Sequence, residues 1–307
     1  MRLVFAGTPA VAVPSLRALA DGPHEIAAVV TRTDAPLGRK RVLTPSPVAQ
    51  AASDLGLHVV KADRLDADVT ARLAALEPDL GVIVAYGGLV REPLLSTPVH
   101  GWINLHFSLL PRWRGAAPVQ RALIAGDTVT GASVFQLVAA LDAGDVFAEE
   151  RYDVPAGATS ADVLDALAEV GAPLLARVVD GIADGTAVAV PQEGEPTVAP
   201  KLTLTDGRLD FSADAASLLA RIAGVTPEPG AHTTLDGARV KVLRAAPADP
   251  AAPPVDPGRV VASGRSVLVG TGTSPLHLRT VQPAGKGAMD AGDWLRGLRT
   301  SDVVFGS

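Results

Sequence analysis

Two residues whose side chains can exchange hydrogen bonds and protons stand two positions apart near the middle of the chain. Asn104 carries an amide and His106 an imidazole, at the end of a strand predicted over Trp102–Leu105. Because alternate residues of a strand point to the same face, both side chains lie on one side of the sheet. Open parallel sheets bind their ligands at the carboxyl ends of the strands, which makes the pair a candidate catalytic site. Taken alone, the pair also fits a capping amide and a packed core histidine.

An unusual loop follows, from Ser108 to Pro118, in which apolar, basic and aromatic residues precede a helix predicted to begin near Pro118. Ser108 lies close to His106 and is a candidate acyl-carrying nucleophile. No Gly-x-Ser-x-Gly elbow surrounds it, however. The residues alone leave two interpretations of Ser108 open, a nucleophile and a pocket-lining side chain.

Asp142 is the third residue of interest, on a loop after a strand predicted over Ser133–Leu137. An aspartate followed closely by glycine often bonds to its own backbone in a turn. A carboxylate can also serve as a base or as the charge partner of a histidine. The sequence pattern alone allows both roles.

The residues before this site alternate short apolar runs with helical patterns, which is typical of an α/β domain with a parallel sheet. The runs are Leu3–Ala6, Ile26–Thr31, Val59–Val60, Leu80–Ala85 and Ile103–Leu105. Ser46 as N-cap and Pro47 at the first helical position predict a helix that closes at Gly56. A long amphipathic helix is predicted to begin near a cap at Thr159 or Ser160 and to continue to Val178.

Prolines spaced among glycine and glutamate between Gly185 and Thr205 are typical of a linker. We therefore expect one domain over residues 1–189, a linker over residues 190–205 and a smaller domain over residues 206–307. The smaller domain begins with a predicted helix and continues with short β-prone runs separated by glycine and proline.

In this smaller domain the helix is predicted over Ala213–Ala223. The β-prone runs are Arg239–Leu243, Arg259–Ala262, Ser266–Val269 and Leu276–Val281. The stretch Ala245–Pro257 has five prolines and is expected to be a loop within the domain. Many short strands of this kind predict a small barrel or sandwich.

Composition limits the class of protein. The chain has 307 residues, of which 48% are hydrophobic and 20% charged, as expected of a globular protein. Its apolar runs are far shorter than the roughly 20 residues that cross a bilayer, so we expect no membrane contact. There is no cysteine, which excludes disulfides and thiolate ligands and agrees with a cytoplasmic location. The six histidines are scattered, so no metal centre is expected.

Charge is distributed unevenly along the chain, which has a net charge of −6. Residues 1–205 carry 16 Lys and Arg against 23 Asp and Glu, and residues 206–307 carry 11 against 10. Any contact with a polyanion must therefore be local. Gly7-Thr8-Pro9 follows the first predicted strand, but Gly-x-Gly-x-x-Gly is absent, so a nicotinamide cofactor is not expected.

The stretch Asn104-x-His106-x-Ser108-Leu109-Leu110-Pro111 closely resembles the catalytic strand and folate loop of the folate-dependent formyltransferases, especially those acting on methionyl initiator tRNA. Two positions depart from the family pattern: Phe107 replaces a residue that is more often small, and Ala143 replaces a common threonine. Both flank the acting side chains and concern the shape of the pocket. Other stretches similar to the family are Gly7-Thr8-Pro9, Thr44-Pro45-Ser46-Pro47, Val84-Ala85-Tyr86-Gly87, Leu141-Asp142-Ala143-Gly144-Asp145 and Gln282-Pro283-Ala284-Gly285-Lys286.

This resemblance implies a Rossmann-like formyltransferase domain followed by an OB-like barrel. It implies transfer of a formyl group from 10-formyltetrahydrofolate to methionyl initiator tRNA, directly and without a metal. Asn104 and a protonated His106 would stabilise the oxyanion, and Asp142 would act as charge partner, raising the pKa of His106, or as base. The residues implied in folate binding are Ser108, Leu109, Leu110, Pro111, Tyr86 and Gly87.

A basic segment between Thr31 and Pro47 carries Arg39, Lys40 and Arg41. Short basic runs are commonly solvated loops, but the resemblance implies that this one contacts the tRNA acceptor arm, so that Arg39→Ala would raise the KM for tRNA. The second domain is expected to extend this surface or to serve only stability. The basic residues considered there are Arg239, Lys241, Arg244 and Lys286.

Two alternatives remain beside this interpretation. One is a formyltransferase for an amino sugar or amino nucleotide, which would need a different second half. The other is a folate-binding regulatory protein with a decayed site, and intact Asn104, His106 and Asp142 argue against it. On family grounds we expect a monomer.

Overall fold

A seven-stranded sheet organises the first half of the chain, in the order β5-β2-β1-β6-β7-β8-β9. The computed structural model describes residues 1–38, 40–298 and 302–306. The strands of this half, including the separate hairpin β3–β4, are β1 (Arg2–Gly7), β2 (Glu25–Thr31), β3 (Ala35–Leu37), β4 (Val42–Thr44), β5 (Val59–Lys61), β6 (Leu80–Val84), β7 (Trp102–His106), β8 (Val129–Gln136) and β9 (Val146–Asp153). The first five strands of this order, which are β5, β2, β1, β6 and β7, pair in parallel, and this confirms the predicted Rossmann-like sheet. Strands β8 and β9 extend it in antiparallel pairing.

Side-chain caps begin some, but not all, of the helices of this half. The helices are α1 (Val13–Ala20), α2 (Pro47–Asp54), α3 (Ala67–Ala74), α4 (Pro118–Ile124) and α5 (Ser160–Ala183). The Ser46 hydroxyl accepts a hydrogen bond from the Ala49 amide at 3.0 Å, as predicted for the N-cap of α2. The long amphipathic helix predicted from Ser160 is confirmed as α5 and continues to Ala183.

Packing between β6 and β7 fixes the strand that carries the candidate site. The Trp102 side chain is fully buried against Gly81, where an added Cβ atom would lie 2.1 Å from the indole ring. The indole nitrogen donates to the Leu94 carbonyl at 2.8 Å. Because the indole is held on one face and by its nitrogen, the register of β7 is set, and with it the positions of Asn104 and His106.

The second half forms an antiparallel sheet in the order β10-β11-β14-β13-β12-β16, with β15 paired to β14. The strands and helices are β10 (His232–Leu235), β11 (Ala238–Pro247), β12 (Arg259–Ser263), β13 (Ser266–Val269), β14 (Leu276–Pro283), β15 (Met289–Asp290), β16 (Val303–Val304), α6 (Ala215–Val225) and α7 (Ala291–Arg296). The Gly306 amide donates to the Thr234 carbonyl at 2.9 Å, which joins the two ends of the sheet in a barrel-like ring. The predicted β-rich fold is confirmed.

The expected proline-rich loop is shorter than predicted. Residues Ala245–Pro247 belong to β11, where they pair with Leu276–Leu278 of β14. The prediction that they start the loop was therefore wrong, because cross-strand partners outweigh the local preference of Ala and Pro against strands. The structure continues as a non-strand segment from residue 248 to residue 258.

The chain divides into two compact units. The first comprises residues 1–118, 129–153 and 164–199, and the second comprises residues 119–128, 154–163 and 200–307. Within the described part of the chain, no helix is long and apolar enough to cross a membrane.

Candidate active site

Asn104 and His106 lie two positions apart at the carboxyl end of β7, so their side chains share one face of the sheet, as predicted. Asn104 is paired with Ile83 of β6 and Phe135 of β8, so its backbone is fixed on both sides. Its side chain is partly exposed and makes no hydrogen bond with any residue that the structure describes. The amide is thus available to a ligand. His106 is only 6% exposed and meets the Phe135 ring edge-on, at 6.3 Å between centroids.

The hydrogen bonds of His106 define its tautomer. Its Nε2 atom lies 2.9 Å from the Trp113 carbonyl oxygen, which can only accept, so Nε2 carries the hydrogen. Its Nδ1 atom lies 3.8 Å from Oδ2 of Asp142, too far for a hydrogen bond but close enough for a strong charge interaction. The Nδ1 lone pair of the neutral ring therefore faces the carboxylate.

Burial sets the charge state of His106. It lowers the pKa of the imidazole by more than the Asp142 carboxylate and the Trp113 carbonyl raise it, so that the net pKa lies below the usual value for histidine. The expectation that Asp142 keeps His106 protonated in the free protein was therefore wrong. The carboxylate acts in the expected direction, but loss of hydration outweighs it.

Asp142 is fixed by its backbone conformation and by a hydrogen bond to one oxygen of its carboxylate. Its φ angle is +45°, in the left-handed region that aspartate tolerates better than most residues. Its Oδ2 atom accepts a hydrogen bond from the Gly115 amide at 2.7 Å. The loop after β7 and the loop after β8 are thereby tied together, and the three predicted residues converge on one end of the sheet.

Gln192 completes this arrangement, although the sequence analysis placed it in a linker. Its side-chain nitrogen donates to the carbonyl oxygens of Asp142 at 2.9 Å and Gly144 at 2.8 Å. Its side-chain oxygen accepts from the Arg114 guanidinium. No linear pattern marks Gln192, because its partners are 48 to 78 positions away along the chain.

The segment around Gln192 also binds the loop that follows β7. Arg114 donates its amide hydrogen to the Thr197 carbonyl at 2.9 Å and accepts from the Ala199 amide at 2.7 Å. The Trp113 amide donates to the Thr197 hydroxyl at 2.8 Å. We name residues 190–199 the strap, because they are bonded along the catalytic loop rather than free of it.

The predicted folate loop is largely fixed by its own side chains. Ser108 is fully buried and donates its hydroxyl hydrogen to the Arg112 carbonyl at 2.6 Å. Leu110 is buried in a cluster with Phe135 and Val146, and Pro111 is also buried. Leu109 is partly exposed. The buried side chains of Ser108 and Leu110 therefore hold the loop in its conformation.

Tyr86 and Gly87 have different surroundings. Tyr86 is 1% exposed, and its hydroxyl donates to the Ala62 carbonyl at 2.8 Å. Burial raises the pKa of this hydroxyl. The side chain of Tyr86 is therefore a core group, and the prediction that Tyr86 contacts folate is left to its backbone. Gly87 is exposed, with φ +77°, and its carbonyl accepts from the Arg32 guanidinium at 2.6 Å.

The predicted basic segment is a two-stranded hairpin, β3–β4. Lys40 and Arg41 lie exposed at its turn, and Arg39 lies outside the described residues. The strands expose three large apolar side chains, Leu37 at 66%, Val42 at 59% and Leu43 at 67%. An exposed hairpin with a cationic tip and apolar flanks has the features of a binding element.

The second unit also presents basic groups. Arg239 and Lys241 lie on β11, and Arg239, Arg244 and Lys286 are exposed. A groove of about 1170 Å³ is lined by three guanidinium groups against one carboxylate; these are Arg208, Arg221, Arg239 and Asp210. Such a charge balance favours an anionic ligand. Among the residues the structure describes, no cluster of His, Cys, Asp and Glu could hold a metal ion.

Comparison with known families accounts for the whole chain. The model of the formyl transferase family matches residues 1–179, and that of the formyl transferase C-terminal domain matches residues 201–299. The methionyl-tRNA formyltransferase of Clavibacter sepedonicus is 63% identical over 304 residues, covering 99% of each chain. That of Renibacterium salmoninarum is 52% identical over 307 residues and covers 100% of both chains.

Solved structures of low sequence identity share the fold. WlaRD, a sugar 3N-formyl transferase crystallised in the presence of dTDP and 5-N-formyl-THF, is 13% identical with a TM-score of 0.70, covering 94% of this chain and 99% of its own. HypX from Aquifex aeolicus, in complex with tetrahydrofolic acid, is 18% identical with a TM-score of 0.65. There the match covers 99% of this chain, which spans about half the length of HypX.

Proposed function

The chain belongs to the methionyl-tRNA formyltransferase family, and we propose that it transfers the formyl group of 10-formyltetrahydrofolate to the α-amino group of methionyl initiator tRNA. The observation that carries the proposal is the convergence of Asn104, His106 and Asp142, with Nδ1 of His106 3.8 Å from Oδ2 of Asp142. When an amine attacks a formyl carbon, the reaction needs a donor for the oxygen and a group that accepts the amine proton. The amide of Asn104, the lone pair of His106 and the carboxylate of Asp142 supply these groups.

Asn104 stabilises the charge that develops on the formyl oxygen. As the amine nitrogen bonds to the formyl carbon, the carbonyl oxygen becomes an alkoxide, and a donor aimed at it is worth more there than on the substrate. The Asn104 amide suits this role because its backbone is fixed by two neighbouring strands and its side chain is free of protein partners among the described residues.

His106 and Asp142 handle the proton that the amine must lose. The neutral ring presents its Nδ1 lone pair beside the carboxylate, so it accepts the proton as the C–N bond forms. The resulting imidazolium is stabilised by the Asp142 carboxylate, and its Nε2 hydrogen stays bonded to the Trp113 carbonyl. Its new Nδ1 hydrogen is the second donor for the alkoxide. When the intermediate collapses, the bond from carbon to N10 of the folate breaks and the proton returns to that nitrogen. Asp142 acts as charge partner of this ring.

Transfer is direct, without a formylated enzyme. The Ser108 hydroxyl is fully buried and already donates to the Arg112 carbonyl at 2.6 Å, which leaves no exposed nucleophile at this position. The folate contacts the loop Ser108–Pro111 mainly through backbone groups and through Leu109, with Gly87 on the neighbouring strand end.

Binding of tRNA uses basic groups of both halves. Residues 1–189 form the catalytic domain, residues 190–205 connect it and residues 206–307 contact tRNA through the groove lined by Arg208, Arg221 and Arg239. In the catalytic domain, Lys40 and Arg41 contact the acceptor arm from the tip of the hairpin. Arg39, which lies outside the described residues, is part of the same proposed tRNA contact. The protein acts as a cytoplasmic monomer that holds no metal.

The test compares two acceptors in one assay. The purified protein is incubated with 10-formyltetrahydrofolate and either charged initiator tRNA or a dTDP-linked amino sugar, the kind of acceptor that a shared fold alone would allow. We expect formyl-methionyl-tRNA and no formylated sugar. Formylation of the sugar with no reaction on the tRNA would overturn the proposal in favour of an amino sugar formyltransferase.

A further inference from the structure

Gln192 uses every hydrogen-bonding group of its amide. The two hydrogens of the nitrogen go to the Asp142 and Gly144 carbonyls, and the oxygen accepts from Nε of Arg114 at 3.1 Å and from a terminal nitrogen at 2.5 Å. Carbonyls can only accept and guanidinium groups can only donate, so the orientation of the amide is unambiguous. The side chain is therefore a fixed four-point clamp.

One side of the clamp holds the turn that presents Asp142. This turn is demanding: Asp142 has φ +45°, and a Cβ atom on Gly144 would lie 1.7 Å from the Gln136 carbonyl oxygen. A left-handed conformation of a residue other than glycine costs on the order of 1 kcal/mol and needs support from its surroundings. Gln192 supplies that support by drawing two carbonyls of the turn to a single nitrogen.

The other side of the clamp holds Arg114, which is the neighbour of the residue that bonds the Asp142 carboxylate. Arg114 precedes Gly115, whose amide donates to Oδ2 of Asp142 at 2.7 Å. The backbone of Arg114 is bonded to Thr197 and Ala199 of the strap. Gln192 thus fixes the backbone of Asp142 directly. It also fixes the Gly115 amide, which orients the carboxylate, through the side chain of the adjacent Arg114.

We propose that Gln192 is a positioning residue for formyl transfer, which sets the distance between the Asp142 carboxylate and His106. This inference rests on the proposed function of Asp142. Gln192 contacts no reacting atom and acts through Asp142 alone. A displacement of about 1 Å in a catalytic group costs on the order of 10²-fold in rate, so a residue of this kind affects kcat strongly.

The test is a double-mutant cycle on the full chain. Gln192→Met keeps the length of the side chain and removes all four hydrogen bonds. We expect kcat to fall roughly 10-fold to 10²-fold, with the KM for 10-formyltetrahydrofolate within about 3-fold of wild type. In an Asp142→Asn background, the same change should cost less than about 2-fold, because the group it positions is already lost.

A second variant and a matched control keep the result interpretable. Gln192→Glu preserves the contact with Arg114 but sets a carboxylate against the two carbonyls, so it should lose kcat as well even if Gln192→Met folds poorly. Gln50→Met removes an exposed glutamine whose side chain donates to Asp54 within α2, and it should leave kcat unchanged.

Two results would overturn the inference in different ways. Equal losses for Gln192→Met in the wild-type and Asp142→Asn backgrounds would mean that Gln192 does not act through Asp142, while the role of Asp142 would stand. Wild-type turnover in Asp142→Asn itself would remove the proposed function of Asp142, and the positioning role with it.

Discussion

The two halves of the site are held in different ways. Asn104 and His106 lie on a central strand whose register is fixed by pairing on both sides and by the buried Trp102 ring on Gly81. Asp142 lies on a loop whose geometry depends on a few hydrogen bonds from Gln192 and Gly115. We therefore expect changes in the strand half to affect the stability of the fold. Changes in the loop half should affect activity and have little effect on stability.

The two halves of the site therefore owe the precise placement of their side chains to different causes. A strand inside a sheet cannot shift without breaking the packing of its neighbours, so its side chains are placed by the core. A loop can shift at small cost, so its carboxylate needs dedicated contacts to stay aimed.

Removing the amide donor of the strand half should have the largest effect. Asn104→Ala should lower kcat by about 10² to 10³-fold, or about 2.7–4 kcal/mol in the transition state, because the alkoxide loses a fixed donor. The measurement is the steady-state rate of methionyl-tRNA formylation, with thermal unfolding as control for folding. Turnover close to that of wild type would remove Asn104 from the reaction.

Disturbing the packing under the strand half should act on stability first. Gly81→Ala places a methyl group against the Trp102 indole and should lower the free energy of unfolding by about 1–3 kcal/mol in urea titrations. Gly287→Ala is a matched control, since an added Cβ atom there meets nothing within 4 Å. Equal stability of the two variants would contradict the packing account of β7.

The buried neutral His106 should make the fold sensitive to acid. Its pKa is lowered in the folded protein, so only the unfolded state takes up a proton as the pH falls below about 6.5, and stability is lost in that direction. The slope contributed by one such group is at most about 1.4 kcal/mol per pH unit. Urea titrations at pH 7.5 and pH 5.5 should show a larger loss for wild type than for His106→Gln. A smaller loss for wild type would contradict a lowered pKa.

The hairpin should contribute the smallest effect, and only to binding. Lys40→Ala combined with Arg41→Ala should raise the KM for tRNA several-fold without changing kcat, because exposed cations contact phosphates. The dependence of the KM on salt should weaken in the same variant. A KM that matches wild type at both low and high salt would exclude these two residues from the tRNA interface.

Much of the strand half could be predicted from the sequence. A short apolar run predicted β7, and the spacing of Asn104 and His106 predicted their shared face. The start of α2 was visible at Ser46, and that of α5 at Thr159 or Ser160, of which Thr159 accepts the capping hydrogen bond from the Asp162 amide. These features depend on residues close together in the chain, so local patterns carry them.

The loop half required the structure. Gln192 contacts Asp142 across 50 positions of sequence, and the burial of the Tyr86 ring in the core was not predicted. The net pKa of His106 could not be predicted either, since it depends on how completely the ring is buried. Long-range contacts and desolvation leave no periodic signal in a sequence.

The most direct test of the account is the titration of the His106 ring by NMR in the free protein, with His106→Gln to assign the signal. We expect a pKa below the usual value of about 6.5 and a neutral ring that carries its hydrogen on Nε2. A ring that stays protonated through pH 7.5 would contradict the proposal that neutral His106 accepts the amine proton beside Asp142.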